Sequence, residues 1–252
     1  MTAQVYVGRN VAVAFDQYDM SGNGNELKAK RDAATIDATV FGDRFSYDLA
    51  GIQKASIELK GFYTPGYNNI DGIVNQRFGQ DSDVLAAYGA LGWPLGGPMV
   101  MQPSVITKYD IDAKLKGAVT IDCTMMARGY VDDGYILLSP NQFTTVTGTS
   151  TALDNTPNGG ATVAGANAQL HVFSVTGTTP SLTMKLQGSP DGTTWTDIPG
   201  MLFSAATTAS AQRLVLPKQQ TIPAQVRANW TISGTNPSFL ALLGFARGVV
   251  YS

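Results

Sequence analysis

The chain is short of reactive side chains. Among its 252 residues are one cysteine, Cys123, and one histidine, His171, so an intramolecular disulfide is impossible and no His/Cys metal centre can be assembled. Cys123 falls on the apolar side of an alternating stretch (Val119, Ile121, Cys123, Met125, Ala127) and reads as a small buried hydrophobe. His171, between Leu170 and Val172 in a strand-like run, reads as a satisfied or surface histidine rather than a catalytic base. Charge is scarce too. Only 14% of residues are charged and the net charge is -2, which gives no basic footprint for nucleic acid. No apolar run approaches the ~20 residues of a membrane-spanning helix. The first residues lack the basic-then-apolar pattern of a secretion signal, so folding in a reducing cytoplasm is expected. Gly92, Gly96 and Gly97 surround Trp93-Pro94 without the Lys-Ser/Thr pair of a phosphate-binding loop. No cofactor and no enzymatic activity is expected.

What is present is strand periodicity. Ile36, Ala38 and Val40 alternate with Thr35, Asp37 and Thr39; after a break at Phe41-Gly42-Asp43, Ala55, Ile57 and Leu59 alternate with Lys54, Ser56, Glu58 and Lys60. Each segment offers one face to a core and one polar face outward. Further strands are expected at 4–7, 11–15, 26–30, 84–91, 105–115, 119–127 and 135–138. The run from Val105 places Tyr109, Ile111 and Leu115 on one side, with Lys108, Asp110, Asp112 and Lys114 on the other, and Lys116-Gly117 turns it back as a long hairpin. One short helix is expected near 69–79, where Ile70, Ile73, Val74 and Phe78 make a stripe that Gly79 ends.

Charge divides the chain. Twelve of the 17 Lys and Arg and 16 of the 19 Asp and Glu lie before residue 141, and a polar, nearly uncharged tract follows, as at a domain junction. Two all-β domains are therefore expected, 1–143 with the helix and 144–252 as an Ig-like or jelly-roll-like sandwich of about seven short strands, at 170–175, 182–187, 194–198, 201–204, 213–216, 225–232 and 239–246. Trp195, just beyond the turn Ser189-Pro190-Asp191-Gly192, and Trp230 are expected to anchor the core of the second domain. Trp93, in its Gly/Pro-rich loop, is a candidate for a contact between subunits. Asp110 with Asp112 and Asp132 with Asp133 could hold Ca²⁺ or do acid and base work but, with no visible partners, read as a solvated or interface face, and the loop from Asp16 to Glu26 carries oxygen ligands without calcium-loop spacing.

Val5-Tyr6-Val7-Gly8, Val11-Ala12-Val13, Met20-Ser21-Gly22-Asn23, the stretch from Asp37 to Asp43, Leu49-Ala50-Gly51-Ile52 and Ile57 to Phe62, with Lys108-Tyr109 and Gly129-Tyr130 later, carry a resemblance of the first half to the major tail tube protein of long-tailed bacteriophages. It implies a β-sandwich with one flanking helix, assembled into six-membered rings. The rings stack into a tube that viral DNA traverses without specific binding. Tape measure and tail terminator proteins are then partners, and the location is the virion, after assembly in the host bacterial cytoplasm. Under this reading Glu58, Asp110, Asp112 and Asp122 face the lumen, and Asp43, Arg44, Phe45, Tyr47 and Asp48 join Trp93 at contacts between subunits or rings. The 144–252 domain would be displayed outside, as passive decoration or toward host surface glycans, with no membrane insertion. A carbohydrate-binding adhesin or tail-tip module, and a capsid decoration protein, remain alternatives.

Overall fold

In a computed structural model of the chain, the described residues are 10–22, 24–40, 45, 48–64, 70–81, 83–115, 117–140, 144–154 and 160–248. Their elements in order are β1 (Ala12–Phe15), β2 (Tyr18–Asp19), β3 (Gly24–Asp37), β4 (Asp48–Phe62), α1 (Ile70–Arg77), β5 (Val84–Gly89), β6 (Pro98–Asp112), β7 (Thr120–Ala127), β8 (Asp132–Leu138), β9 (Gly148–Thr149), β10 (Leu153–Asp154), β11 (Ala166–Ser189), β12 (Thr196–Leu202), β13 (Ser210–Leu216) and β14 (Gln225–Arg247). The fold is all-β with one short helix. The strand expected at 4–7 lies outside the described residues. Contacts divide the chain into two compact units: residues 1–22, 85–103 and 130–252 form unit 1, and 23–84 with 104–129 form unit 2.

Unit 1 is organised by two very long strands. The segments expected as separate short strands at 170–175 and 182–187 are one strand, β11, and those at 225–232 and 239–246 are one strand, β14. They run antiparallel over their whole length. The reason is a motif that occurs twice, Thr176-Gly177-Thr178-Thr179-Pro180-Ser181 and Ser233-Gly234-Thr235-Asn236-Pro237-Ser238. Gly177 and Gly234 adopt φ of 116° and 117°, and Thr179 and Asn236 both 49°, so both strands bend at one level without leaving the ladder. A Cβ at Gly177 would lie 2.8 Å from the Asn236 carbonyl oxygen, and one at Gly234 2.7 Å from that of Thr179. The bends bring the strand ends together. Arg247, at the end of β14, donates to the Pro223 and Ala224 carbonyls just before its start, at 2.6 and 2.7 Å. One core cluster accordingly gathers Leu170 and Val172 with Leu182, Met184 and Leu186, and with Met201, Phe203 and Leu216, giving two sheet layers with apolar side chains between them.

A second cluster lies on the opposite face of β14, where Leu242 and Ala246 pack with Ala12, Ala14, Ala87, Trp93, Met99, Met101 and Ile136. The junction expected after residue 143 thus falls inside unit 1. Residues from both halves of the sequence share this core, and β14 pairs directly with β8.

Unit 2 is a four-stranded antiparallel sheet in the order β3–β4–β7–β6. Ile57, Leu59, Ile106, Ile121, Cys123 and Met125 are buried, as are Ile70, Ile73 and Val74 of α1. The Tyr109 hydroxyl donates to the Asp71 carboxylate and ties the helix to β6 on the face that Tyr109 shares with its cross-strand neighbour Cys123.

The expected core face of β3 is corrected here. The strand stops at Asp37, whose carboxylate accepts from the Thr39 amide, and Ile36 and Val40 are 56% and 67% exposed. The physical cause is the extent of pairing. β7 accompanies β4 only from Ser56 to Phe62, so β3 and β4 continue beyond it as a two-stranded ribbon whose apolar side chains have no third strand to meet. Ile52 is exposed in the same ribbon, and Ile111 and Leu115 are exposed at and beyond the end of β6.

Candidate functional site: the ion-paired sheet face of unit 2

Cross-strand register decides which side chains meet. Lys28 stands beside Glu58, Glu58 beside Thr124, and Thr124 beside Lys108; Glu26 stands beside Lys60, Lys60 beside Asp122, and Asp122 beside Asp110. All are on the face opposite the buried Ile57, Leu59 and Cys123. With Lys30, Lys54, Asp32, Asp112 and Lys114, this face carries six lysines and six carboxylates. The sheet thus brings Glu58, Asp110, Asp112 and Asp122 together on one surface.

The charges neutralise one another locally. Lys30 reaches Glu58 at 2.6 Å, Lys60 reaches Glu26 at 3.4 Å, and Lys114 reaches Asp112 at 3.2 Å. Lys108 bridges Asp110 and Asp122, both at 2.9 Å. The hydrogen bond from Lys30 holds the Glu58 carboxyl below its ordinary pKa, and Asp122, then Asp110, raises that of Lys108. Exposed pairs of this kind add little stability. Their chemical effect is to occupy Lys30, Lys60, Lys108 and Lys114 with carboxylates, so a passing polyanion gains little by displacing counterions there.

The other expected site residues are placed as follows. Asp43, Arg44 and Tyr47 lie outside the described residues. Asp48 begins β4 and is exposed, and Phe45 is 86% exposed. Trp93, proposed for a subunit contact, is only 7% exposed and packs in the core of its own unit, where Ser139 donates to its carbonyl at 2.6 Å. Trp230 packs against the larger core of unit 1 and donates its indole N–H to the Val146 carbonyl at 2.9 Å. Trp195 does not join that core. It is half-buried beneath the Arg227 guanidinium, 4.2 Å from the ring centroid, because the Asp191 turn carries it past the end of β11. Asp191 accepts from the Thr194 and Thr193 amides and from Ser189, which holds its carboxyl far below the usual range.

Sequence reasoning missed a buried polar row on β11. Asn167, Gln169 and His171 are at most 1% exposed and alternate with the core residues Ala168, Leu170 and Val172. Asn167 donates to Asp132 at 2.7 Å, and Arg213 donates to the other Asp132 oxygen at 3.0 Å. Burial raises the Asp132 pKa, against the opposing pull of Arg213. His171 Nδ1 meets the Asp16 carbonyl at 2.7 Å and Nε2 meets the Gln169 side chain at 3.3 Å. A neutral ring that donates Nδ1–H leaves Nε2 as an acceptor. The Gln169 amide turned over, with its nitrogen at that contact, satisfies both groups. Burial lowers the His171 pKa to about 4 and pushes the Cys123 thiol up to about 12. The signal for this row was polar residues alternating with small apolar ones between two apolar layers. Among the described residues no group of three or more His, Cys, Asp or Glu is placed to hold a metal ion, and no helix is long and apolar enough to cross a membrane.

No protein-family model matches the chain, and no curated protein is detectably similar to it in sequence. Solved structures do overlay on it. The virion of a native gene transfer agent particle and the tail of an empty gene transfer agent particle with C6 symmetry each give a TM-score of 0.42, at 18% and 19% identity, over 51% of this chain and 98% of the other. The Dit protein of phage SPP1, described as a hub adsorption apparatus of phages infecting Gram-positive bacteria, gives 0.35 at 11% identity over 94% of this chain and 98% of its own.

Proposed function

We propose that the chain is a non-enzymatic structural subunit of a phage tail tube, assembling with copies of itself into six-membered rings that stack around a DNA conduit. The observation that carries this reading is the sheet of unit 2. It has one buried face, one face on which six lysines and six carboxylates balance, and two outermost strands in its four-strand order, β3, which pairs with β4, and β6, whose distal part from Ser104 to Asp112 pairs with β7. Open edges invite a neighbouring chain, and joining the edges of successive copies closes a barrel whose charged faces all point the same way. A balanced lining lets DNA slide, whereas a basic one would hold it. The resemblance of residues 1–140 to tail tube proteins supports the same assembly.

In this reading Glu58, Asp110, Asp112 and Asp122 line the lumen, and the β3–β4 ribbon with Phe45 and Asp48 meets the next ring. Residues 144–252 contribute the outward surface, and tape measure and tail terminator proteins are further partners in the virion. Purified protein viewed by negative-stain electron microscopy tests it. Tubes or six-fold rings are expected; monomers or trimers that bind glycans would instead support an adhesin.

A further inference from the structure

Resting on that ring assembly, we propose that β6 of one copy pairs antiparallel with β3 of the next in a single register, with Lys108, Asp110, Asp112 and Lys114 opposite Asp32, Lys30, Lys28 and Glu26. Both sets lie on the charged sheet face, except that Lys114 follows the last residue of β6 and meets that face through its ion pair with Asp112. In this register all four facing pairs are of opposite charge. Slipping by two residues, the smallest shift that keeps side chains on their own faces, destroys the match. One direction sets Lys108 against Lys30 and Asp112 against Glu26. The other sets Lys114 against Lys28 and Asp110 against Asp32. Like charges directly opposite are destabilising.

Two further features agree. The ladder between β3 and β4 shifts register only before Glu26 and after Ala33, so the regular run of β3 has the span that the β6 residues require. On the opposite face the register lays exposed Ile111 against exposed Ala29, and Ala113 against half-buried Leu27, covering apolar surface that one copy leaves in water. A second copy of this chain is the occupant because it carries both halves of the charge code.

Paired cysteine variants read the register directly, since a slip of two residues moves Cα partners by about 7 Å, beyond disulfide reach. The side chains of Asp112 and Glu26 are 60% and 57% exposed, and the native Cys123 is buried. In tubes treated with a mild oxidant, Asp112→Cys with Lys28→Cys should give a ladder of covalent oligomers about ten-fold faster than Asp112→Cys with Glu26→Cys or with Lys30→Cys. Faster cross-linking at either slipped position would overturn the register. Tubes with no cross-link at any of the three would overturn the edge pairing while leaving the tube reading intact, and wild-type protein that forms neither rings nor tubes would remove that reading itself. As a second readout, Asp110→Lys alone should depress assembly and Asp110→Lys with Lys30→Asp should restore it; no recovery would count against the pairing.

Discussion

The two units distribute polarity in opposite ways. Unit 1 buries a polar row, with Asp132, Asn167, Gln169 and His171 at most 1% exposed, whereas unit 2 sets its ion pairs on an exposed face and leaves Ile36, Ile52, Phe62 and Ile111 at least half exposed, as Val146, Val163 and Leu202 of unit 1 also are. A buried polar group is costly unless it is paired, and unit 1 meets most of that requirement internally through Arg213, the Asp16 carbonyl and its neighbours. The exposed apolar and ion-paired surfaces of unit 2 gain little from their own chain. Under the proposed assembly, the difference separates a region that completes its interactions within the fold from one that leaves them for neighbouring copies.

The largest expected effect is in unit 1. Arg213→Met removes the cation beside Asp132 and leaves a buried carboxylate, which should cost about 3–5 kcal/mol in chemical denaturation. Lys60→Ala on the sheet face of unit 2 should leave the unfolding transition unmoved; a comparable loss there would erase the distinction between the units.

Acid should act next. The folded pKa of His171 lies near 4, below the unfolded value, so the unfolded chain binds the extra proton first and stability falls as pH drops from about 6.5 to about 4. The full difference is about 3 kcal/mol. His171→Gln should flatten that component of the pH profile, and an unchanged slope would show that the ring is not held neutral by burial.

Gly234→Ala should cost about 2–3 kcal/mol, because alanine at a φ of 117° is strained and its methyl meets the Thr179 carbonyl. An equal loss from Gly177→Ala would confirm that the two bends act as one device. A loss confined to one of them would mean that the strands bend independently.

The sequence was legible where local pattern and local partner coincide. α1 spans Ile70–Arg77 against an expected 69–79, β7 was anticipated nearly to its ends, and β8 begins three residues before the expected 135–138. The charged face was legible as well, since period-two alternation from Lys54 to Lys60 and from Lys108 to Lys114 survives in the sheet. Burial of the apolar partners was not. Alternation says which residues share a face but not whether anything covers it, and Ile36 and Ile52 lie beyond the last residue of β7 that could do so. Trp93 misled for the converse reason: a Gly/Pro-rich loop looks exposed, yet this one folds over Met99 and Met101. The bends in β11 and β14 read as turns because Gly-Thr-Thr-Pro and Gly-Thr-Asn-Pro ordinarily end a strand. Here two copies of one motif bend together, and the ladder shifts register across them and resumes on the far side.

Hydrogen–deuterium exchange on monomeric and assembled protein tests the central claim most directly. Amides of β3 from Glu26 to Ala33 and of β6 from Thr107 to Asp112 should slow strongly on assembly, while those of β11 and β14 keep their monomer rates. Unchanged exchange at both edges in assembled particles would contradict the account.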